Sequence, residues 1–249
     1  MQTFIPTTLN AFSCLLKADL RTQWRNRRSV ILVLLVPVII LISWKGLVAI
    51  RGGAFALSTC ITIGLTAIGL MGYSNSIARD RDKGIFQRLR VAPIPRWSIM
   101  VSRLLIQLIM ILLTTTLVFI VGSNYDKIIL TPQQYAVTYL TALIGGAVYL
   151  GLGQAVVGLI KNPETVNSTT RLIYFVFIMV GMFGDLGVLG VQIGEAVKWS
   201  PYGTVKHILS AGMVPSGWDG HATLALVITL GYAIVFSVVG IKWFKWNTK

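Results

Sequence analysis

The sequence predicts an all-α polytopic membrane protein with six transmembrane helices, an N-terminal interfacial helix and a re-entrant outer segment before the last helix. Three observations carry this. Of 249 residues, 55% are hydrophobic and only 12% charged, whereas an average soluble domain is about a quarter charged; mean hydropathy is +0.74. The apolar residues gather into long uncharged runs, which sets aside a large soluble fold with buried helices. Lys and Arg are abundant in every second connecting segment and sparse in the others, as in a chain threaded back and forth through a bilayer. Residues 1–249 read as a single transmembrane domain.

The first element, 1–28, is amphipathic. Ile5, Leu9, Phe12, Leu16, Leu20 and Trp24 recur every three or four residues, with Lys17, Arg21 and Arg25 on other faces. One apolar helical stripe suits either a helix lying in the membrane interface or a helix packed on a partner. Six apolar runs follow, at 29–44, 53–76, 98–122, 135–160, 172–190 and 222–244; about 20 residues cross the hydrocarbon core. In the fourth run Ala147, Gly151 and Ala155 recur every four residues, which predicts close helix packing. Segment 191–221 carries Trp199, Pro201, Tyr202, Trp218 and both histidines. It reads as short helices and turns dipping into the outer leaflet.

Seventeen of the 22 Lys and Arg residues fall before the first run, between the second and third, between the fourth and fifth, or in the tail, counting Arg103 and Lys242, at the ends of their runs, with the adjoining segments. The positive-inside rule therefore places both termini and segment 78–97 in the cytoplasm. The net charge of +14 is spent on orientation and calls for no nucleic-acid partner. Membrane lipid is the surrounding solvent. Cys14 and Cys60 fit neither a disulfide framework nor a metal motif and read as small apolar fillers. No cleavable signal peptide is expected, because the first long apolar run starts near Ser29. The Asn-Ser-Thr at 167–169 falls on the cytoplasmic side and reads as a chance glycosylation match.

Catalytic signatures are missing. The chain has no GxxxxGK[ST] phosphate loop, no HExxH and no GxSxG. His207 and His221 have no carboxylate or cysteine at ligand spacing, so no metal site is expected. The eight acidic residues form no intramembrane pairs of the kind proton relays use.

The segment 78–97, ARDRDKGIFQRLRVAPIPRW, interrupts the apolar pattern with seven charges in its first thirteen positions. Ile85, Phe86 and Leu89 make an apolar patch at helical spacing, ringed by Arg81, Lys83, Arg88 and Arg90. Pro93 is placed to stop the helix. Two readings fit: a docking helix whose apolar knobs enter a groove on a cytosolic partner, or an ordinary positive-inside loop.

The stretch resembles the signature of ATP-binding-cassette type-two transport permeases, in the drug-exporter-like branch. Asp80, Arg81, Asp82, Lys83, Gly84, Leu89, Pro93 and Arg96 match an acidic–basic–acidic–basic–Gly run followed by apolar and basic residues and Pro-x-x-Arg; the acidic positions, usually Glu, are Asp here. KWSPYGTVKHIL at 198–209 resembles a stretch common before the family's last span. The resemblance implies that Asp80, Arg81, Asp82, Lys83, Gly84, Ile85, Phe86, Leu89, Arg90 and Pro93 belong to a coupling helix touching a separate cytosolic ATPase. That partner would bind the ATP and magnesium, this chain holding no cofactor. It implies a working unit of two permease and two ATPase subunits, in the cytoplasmic membrane of a prokaryote, as in exporters associated with multidrug resistance.

The resemblance also implies a path between two permease subunits along the second and fifth runs. The fifth carries Tyr174, Phe175, Phe177, Met179, Met182 and Phe183. Such side chains give an adaptable apolar wall for a hydrophobic or amphipathic substrate (drug, antimicrobial peptide or lipid), or simply pack and face lipid. Asp185 either faces a cavity or partner or lies at the outer boundary near water. Two other classes are weighed: an ATP-independent secondary transporter, which would need midplane coupling-ion residues or an inverted repeat, and a membrane scaffold.

Overall fold

The structure is a computed structural model that describes residues 8–91, 95–214 and 217–244, with the side chains at 8, 28, 29, 32, 90, 91 and 96 outside that description. Every regular element among the described residues is helical: α1 (Thr8–Arg25), α2 (Arg27–Ser43), α3 (Lys45–Arg51), α4 (Gly53–Thr66), α5 (Asn75–Asp82), α6 (Ile85–Val91), α7 (Arg96–Tyr125), α8 (Pro132–Leu159), α9 (Pro163–Asp185), α10 (Val191–Trp199), α11 (Pro201–Met213) and α12 (Gly220–Lys242). A π-helical stretch, Ala67–Ser74, joins α4 to α5 without a break. Five helices are long and apolar enough to cross a bilayer, and a sixth span forms if α2 and α3, bent by 67°, count as one. This is the all-α polytopic membrane architecture the composition predicts.

Caps explain where several helices begin. Thr131 and Gln134 form a capping box in front of Pro132, the first residue of α8. Asn162 caps α9 before Pro163, Ser200 caps α11 before Pro201, and Asp219 accepts the Ala222 N–H at the start of α12. A polar acceptor followed by a proline satisfies free N–H groups and presets the first turn. The cap at Asn162 also explains a difference. The apolar run begins at Leu172, yet the helix begins at Pro163, because capping rather than hydropathy sets its start.

The second span is longer than its apolar run. From Gly53 to Asp82 it covers 30 residues, about 45 Å at 1.5 Å per residue, well beyond a core of about 30 Å. It therefore carries the charged motif as a helical extension. The π-helical stretch lies where α8 crosses it. A Cβ on Gly69 would overlap the Tyr149 backbone, and one on Gly153 would meet the Gly69 carbonyl oxygen and Ser74 Oγ. Close backbone approach of this kind drives helix association in lipid. On another face of α8, Gly151 abuts Ala233 and Ser237, and Gly158 abuts Gly240, both on α12. Of the series Ala147, Gly151 and Ala155, Gly151 and Ala155 lie against α12 as their spacing predicts, whereas Ala147 lines a cavity and Gly153 and Gly158 add close contacts outside the series.

Alternation of the helices gives the bundle two ends. One end, the basic end, gathers α1, α5, α6, the α8–α9 connection and the last turn of α12. The opposite end gathers α3, residues 126–131, α10 and α11. Ties within each end support this division: Arg81 bonds the carbonyls of Ile160 and Lys161, while Gln134 Nε2 donates to the Met213 carbonyl at 2.8 Å. Helices α10 and α11, of 9 and 13 residues, are too short to cross. They match the short elements predicted for 191–221.

α1 packs Ala11 against the bundle but leaves Leu9 and Trp24 exposed. Polar side chains within the spans are largely self-satisfied. Thr62, Thr66, Thr114 and Thr138 each donate to the carbonyl four residues back, which spares the bilayer an unpaired hydroxyl.

Candidate functional site

At the basic end, α5 runs straight out of the second span and the chain turns at Gly84 (φ +66°). That left-handed conformation favours glycine. Lys83 N–H closes on the Arg79 carbonyl, Gly84 N–H on that of Arg81, and α6 starts at once, with Arg88 N–H bonded to Gly84 O. The glycine of the motif is thus the hinge residue between two helices.

The charges beside it are used inward as well as outward. Arg81 is 2% exposed. Its Nη1 donates to the Val157 carbonyl at 2.7 Å, and its Nη2 to those of Ile160 and Lys161 at 2.6 and 2.8 Å. These are carbonyls at the C-terminal end of α8 and just past it, where a cation meets unsatisfied acceptors and the negative end of the helix dipole. Asp80 pairs with Arg103 of α7 at 2.5 Å, and Arg103 Nε reaches Asp19 of α1 at 3.1 Å. Ser102 Oγ also donates to Asp19. Burial pushes the Asp19 carboxyl above its ordinary value despite the opposing pull of Arg103 and Ser102. One arginine therefore staples α1, α5 and α7 together.

The apolar patch needs a correction. Phe86 is fully buried and meets Phe244, beyond the end of α12, edge to face at 6.0 Å between ring centroids. Ile85 is half-buried, and Leu89 packs against the main core. Phe86 and Leu89 turn toward their own bundle and do not stand out as knobs, which leaves only Ile85 partly open to a groove. Helical spacing reports which residues share a face, not which way that face points. What α5–α6 presents to solvent is polar: Asp82, Lys83, Gln87 and Arg88 are exposed. Pro93 and the side chain of Arg90 lie outside the described residues.

The fifth-span residues divide. Phe175 is 60% exposed; Tyr174, Phe177, Met179, Met182 and Phe183 are half-buried, with Phe177 lying edge-on to Tyr149. Asp185 ends α9 and pairs with Lys206 of α11. Lys206 is 7% exposed, and its ammonium also sits 3.7 Å from the Phe55 ring centroid. Burial pulls the Lys206 ammonium below its ordinary pKa, against the neighbouring carboxylate. Sequence reasoning counts Lys206 only as a loop charge. No spacing rule links it to Asp185 on another helix.

Two cavities accompany these groups. At the basic half, about 360 Å³ opens between α7, α8 and α12, lined by Leu104, Leu108, Leu150, Ile241 and Phe244 around the Tyr73 hydroxyl, which donates to Gln154 Oε1 at 2.7 Å. At the opposite end, a cleft of about 450 Å³ lies among α9, α10, α11 and the start of α12, with Phe55, Asp185 and Lys206 in its wall. Among the described residues no group of His, Cys, Asp and Glu is arranged to hold a metal ion.

Comparison with known proteins agrees with this architecture. The profile of the ABC-2 type transporter family matches residues 10–202. A protein of Bacillus subtilis (strain 168) named as a transport permease, YvfS, is 22% identical over 184 residues, which cover 70% of this chain and 72% of that one. The matched region runs from the first helix into α11 and contains the Gly84 hinge, the Arg81 tie and Asp185. The chain belongs to the ABC-2 type transporter family.

Proposed function

We propose that this permease is the membrane-spanning subunit of an ATP-driven exporter for hydrophobic or amphipathic molecules, powered by a separate cytosolic ATPase. The observation that supports this best is the α5–α6 hinge. Its exposed face offers Asp82, Lys83, Gln87 and Arg88 to a partner, while its buried face is wired into the bundle through Arg81, Asp80 and Phe86. A push on the polar face is thereby delivered to α8 through Arg81, to α1 and α7 through Arg103, and to α12 through Phe244. The chain's own sequence has no phosphate loop, so the nucleotide and magnesium belong on the ATPase.

The charge distribution supports a cytoplasmic basic end, with both termini inside a prokaryotic inner membrane and α10–α11 on the outer side as the re-entrant segment. Exposed Leu9 and Trp24 on α1 suit an interfacial helix. Exposed apolar side chains on α9, including Phe175 and Val180, suit a second permease subunit and a path between the two.

The test is charge reversal on the exposed face. Lys83→Glu with Arg88→Glu, in a chain that still inserts, should abolish co-purification of the co-expressed ATPase and substrate-stimulated ATP hydrolysis. Co-purification at the wild-type level refutes the reading.

A further inference from the structure

The cavity at the α10–α11 end is chemically unlike the rest of the molecule. A chain of net charge +14 here lines a space with three carboxylates, Asp185, Glu195 and Asp219, and two ammonium groups, Lys198 and Lys206. Each ammonium already has a carboxylate: Lys206 pairs with Asp185, and Lys198 with Glu195. Asp219 pairs with neither; one of its oxygens caps α12 through the Ala222 N–H, and the neighbouring His207 and His221 add positive charge only when protonated.

The corner holding Lys206 is informative. A buried ammonium is costly unless its charge is met. Here it is met by a carboxylate on one side and an aromatic face on the other, the two partners that recognise organic cations. Arg51 lies 5.9 Å from the same Phe55 ring, so the ring draws a second cation from outside the cavity. Lys206 is tethered by a flexible four-carbon stem, and burial weakens its hold on its proton. Withdrawal of that stem opens the corner to a cation of another molecule. Trp199 supplies a further aromatic wall facing the same space.

We propose that this cavity is a binding site for a lipophilic organic cation, which seats against Asp185 and the Phe55 face in place of the Lys206 ammonium, with Asp219 and Trp199 on the opposite wall. An anion of the same shape would meet Asp219 and, once Lys206 withdraws, the bared Asp185 carboxylate, while Lys198 stays paired with Glu195.

The test uses the full chain in lipid nanodiscs, without nucleotide or ATPase, so its failure leaves the exporter reading standing. The probes are tetraphenylphosphonium and, as a shape-matched anion, tetraphenylborate, each corrected for binding to empty nanodiscs. The phosphonium should bind saturably and the borate should not. Lys206→Met removes the internal competitor and should tighten phosphonium binding about tenfold; adding Asp185→Asn to it should reverse the gain. Asp219→Asn keeps a helix-capping side chain at an exposed position and should weaken binding about threefold. Equal binding of the two probes, an unchanged affinity in Lys206→Met, or an unchanged affinity in Asp219→Asn overturns the proposal.

Discussion

Replacing Arg81 by Met keeps the length of the side chain and removes its donors. Three carbonyls lose a charged partner at 2.6 to 2.8 Å. They are not equally exposed to the consequence. The bond to Val157 is fully buried, whereas those to Ile160 and Lys161 are partly buried, so water can replace the donor there. A buried acceptor left unpaired costs about 1–3 kcal/mol, and each partly hydrated one about 0.5–1.5 kcal/mol. The sum is about 2–6 kcal/mol, against a total stability of about 5–15 kcal/mol for a typical domain. For a chain of this size each kcal/mol moves Tm by about 2–4 °C, so Arg81→Met should lower Tm by roughly 10 °C in nanodiscs. Arg81→Lys, which keeps the charge but lacks the planar fork, should fall between. Lys83→Met, two residues away and exposed, is the control and should stay within about 0.5 kcal/mol of wild type. If Arg81→Met and Lys83→Met melt together, Arg81 is not the tie described here.

Other substitutions probe the neighbouring links. Gly84→Ala forces a side chain into φ +66°, where the new Cβ meets only Gln87 Oε1 at 3.5 Å; the cost is conformational, about 1–2 kcal/mol, and should appear as a small loss of thermal stability. Gly153→Ala drives a Cβ into the Gly69 carbonyl oxygen and Ser74 Oγ, so it should cost about 1–3 kcal/mol of overpacking, with Gly231→Ala, which meets open space, as the neutral control. Phe86→Ala should lose about 3–5 kcal/mol as a core substitution, measured by unfolding in nanodiscs; retention of full stability would return Phe86 to the surface. The Ala222 N–H, with His221 and His207 behind it, holds the Asp219 carboxyl below its ordinary 3.8. The sign follows: the cap's contribution is complete above the unfolded value near 3.8 and fades as pH falls through the lower folded value. Acid unfolding of Asp219→Ala should therefore depend less on pH in that window than wild type.

Much of the fold was legible because hydropathy and charge report directly on a bilayer. Runs at 53–76, 98–122, 135–160 and 222–244 became spans, and the small residues of the fourth became the faces that α8 turns to its neighbours. The misreadings have physical causes. The second span overshoots its apolar run since Arg79–Asp82 is held as helix by tertiary ties, which hydropathy cannot register. Arg81 reads as a surface charge in any periodicity argument, yet it is buried on the end of α8, 76 residues away in sequence from Val157. Phe86 illustrates the same limit in reverse. A seven-residue helix has one apolar face, and only the bundle decides whether it points in or out. Lys206 was invisible as a partner for Asp185 because their pairing depends on how α11 folds back over α9.

The two proposed sites share one structural member. Phe55 lies near the start of the second span and Arg81 near its end, 26 residues apart on continuous helix, about 39 Å. A displacement applied at Lys83 and Arg88 reaches the cation corner along this rod if the rod moves as a unit. Sliding along its axis is opposed at mid-length, where Gly69 rests on the Tyr149 backbone and the Tyr73 hydroxyl is bonded to Gln154. Rolling about that contact meets no side chain from Gly69 or Gly153 themselves, so what resists it is Ser74 and the Tyr73–Gln154 bond. A roll would carry Phe55 sideways off the Lys206 ammonium while Arg81 turns against the carbonyls of α8. The π-helical stretch at the crossing supports this, since an extra residue per turn there already offsets the faces of the two halves. Coupling by rotation then makes a specific demand: Gly153→Ala, which adds a catch at the pivot, should weaken the response of the cation corner to the ATPase more than it weakens cation binding in the isolated chain. Equal loss of both would mean that the crossing only holds the bundle together.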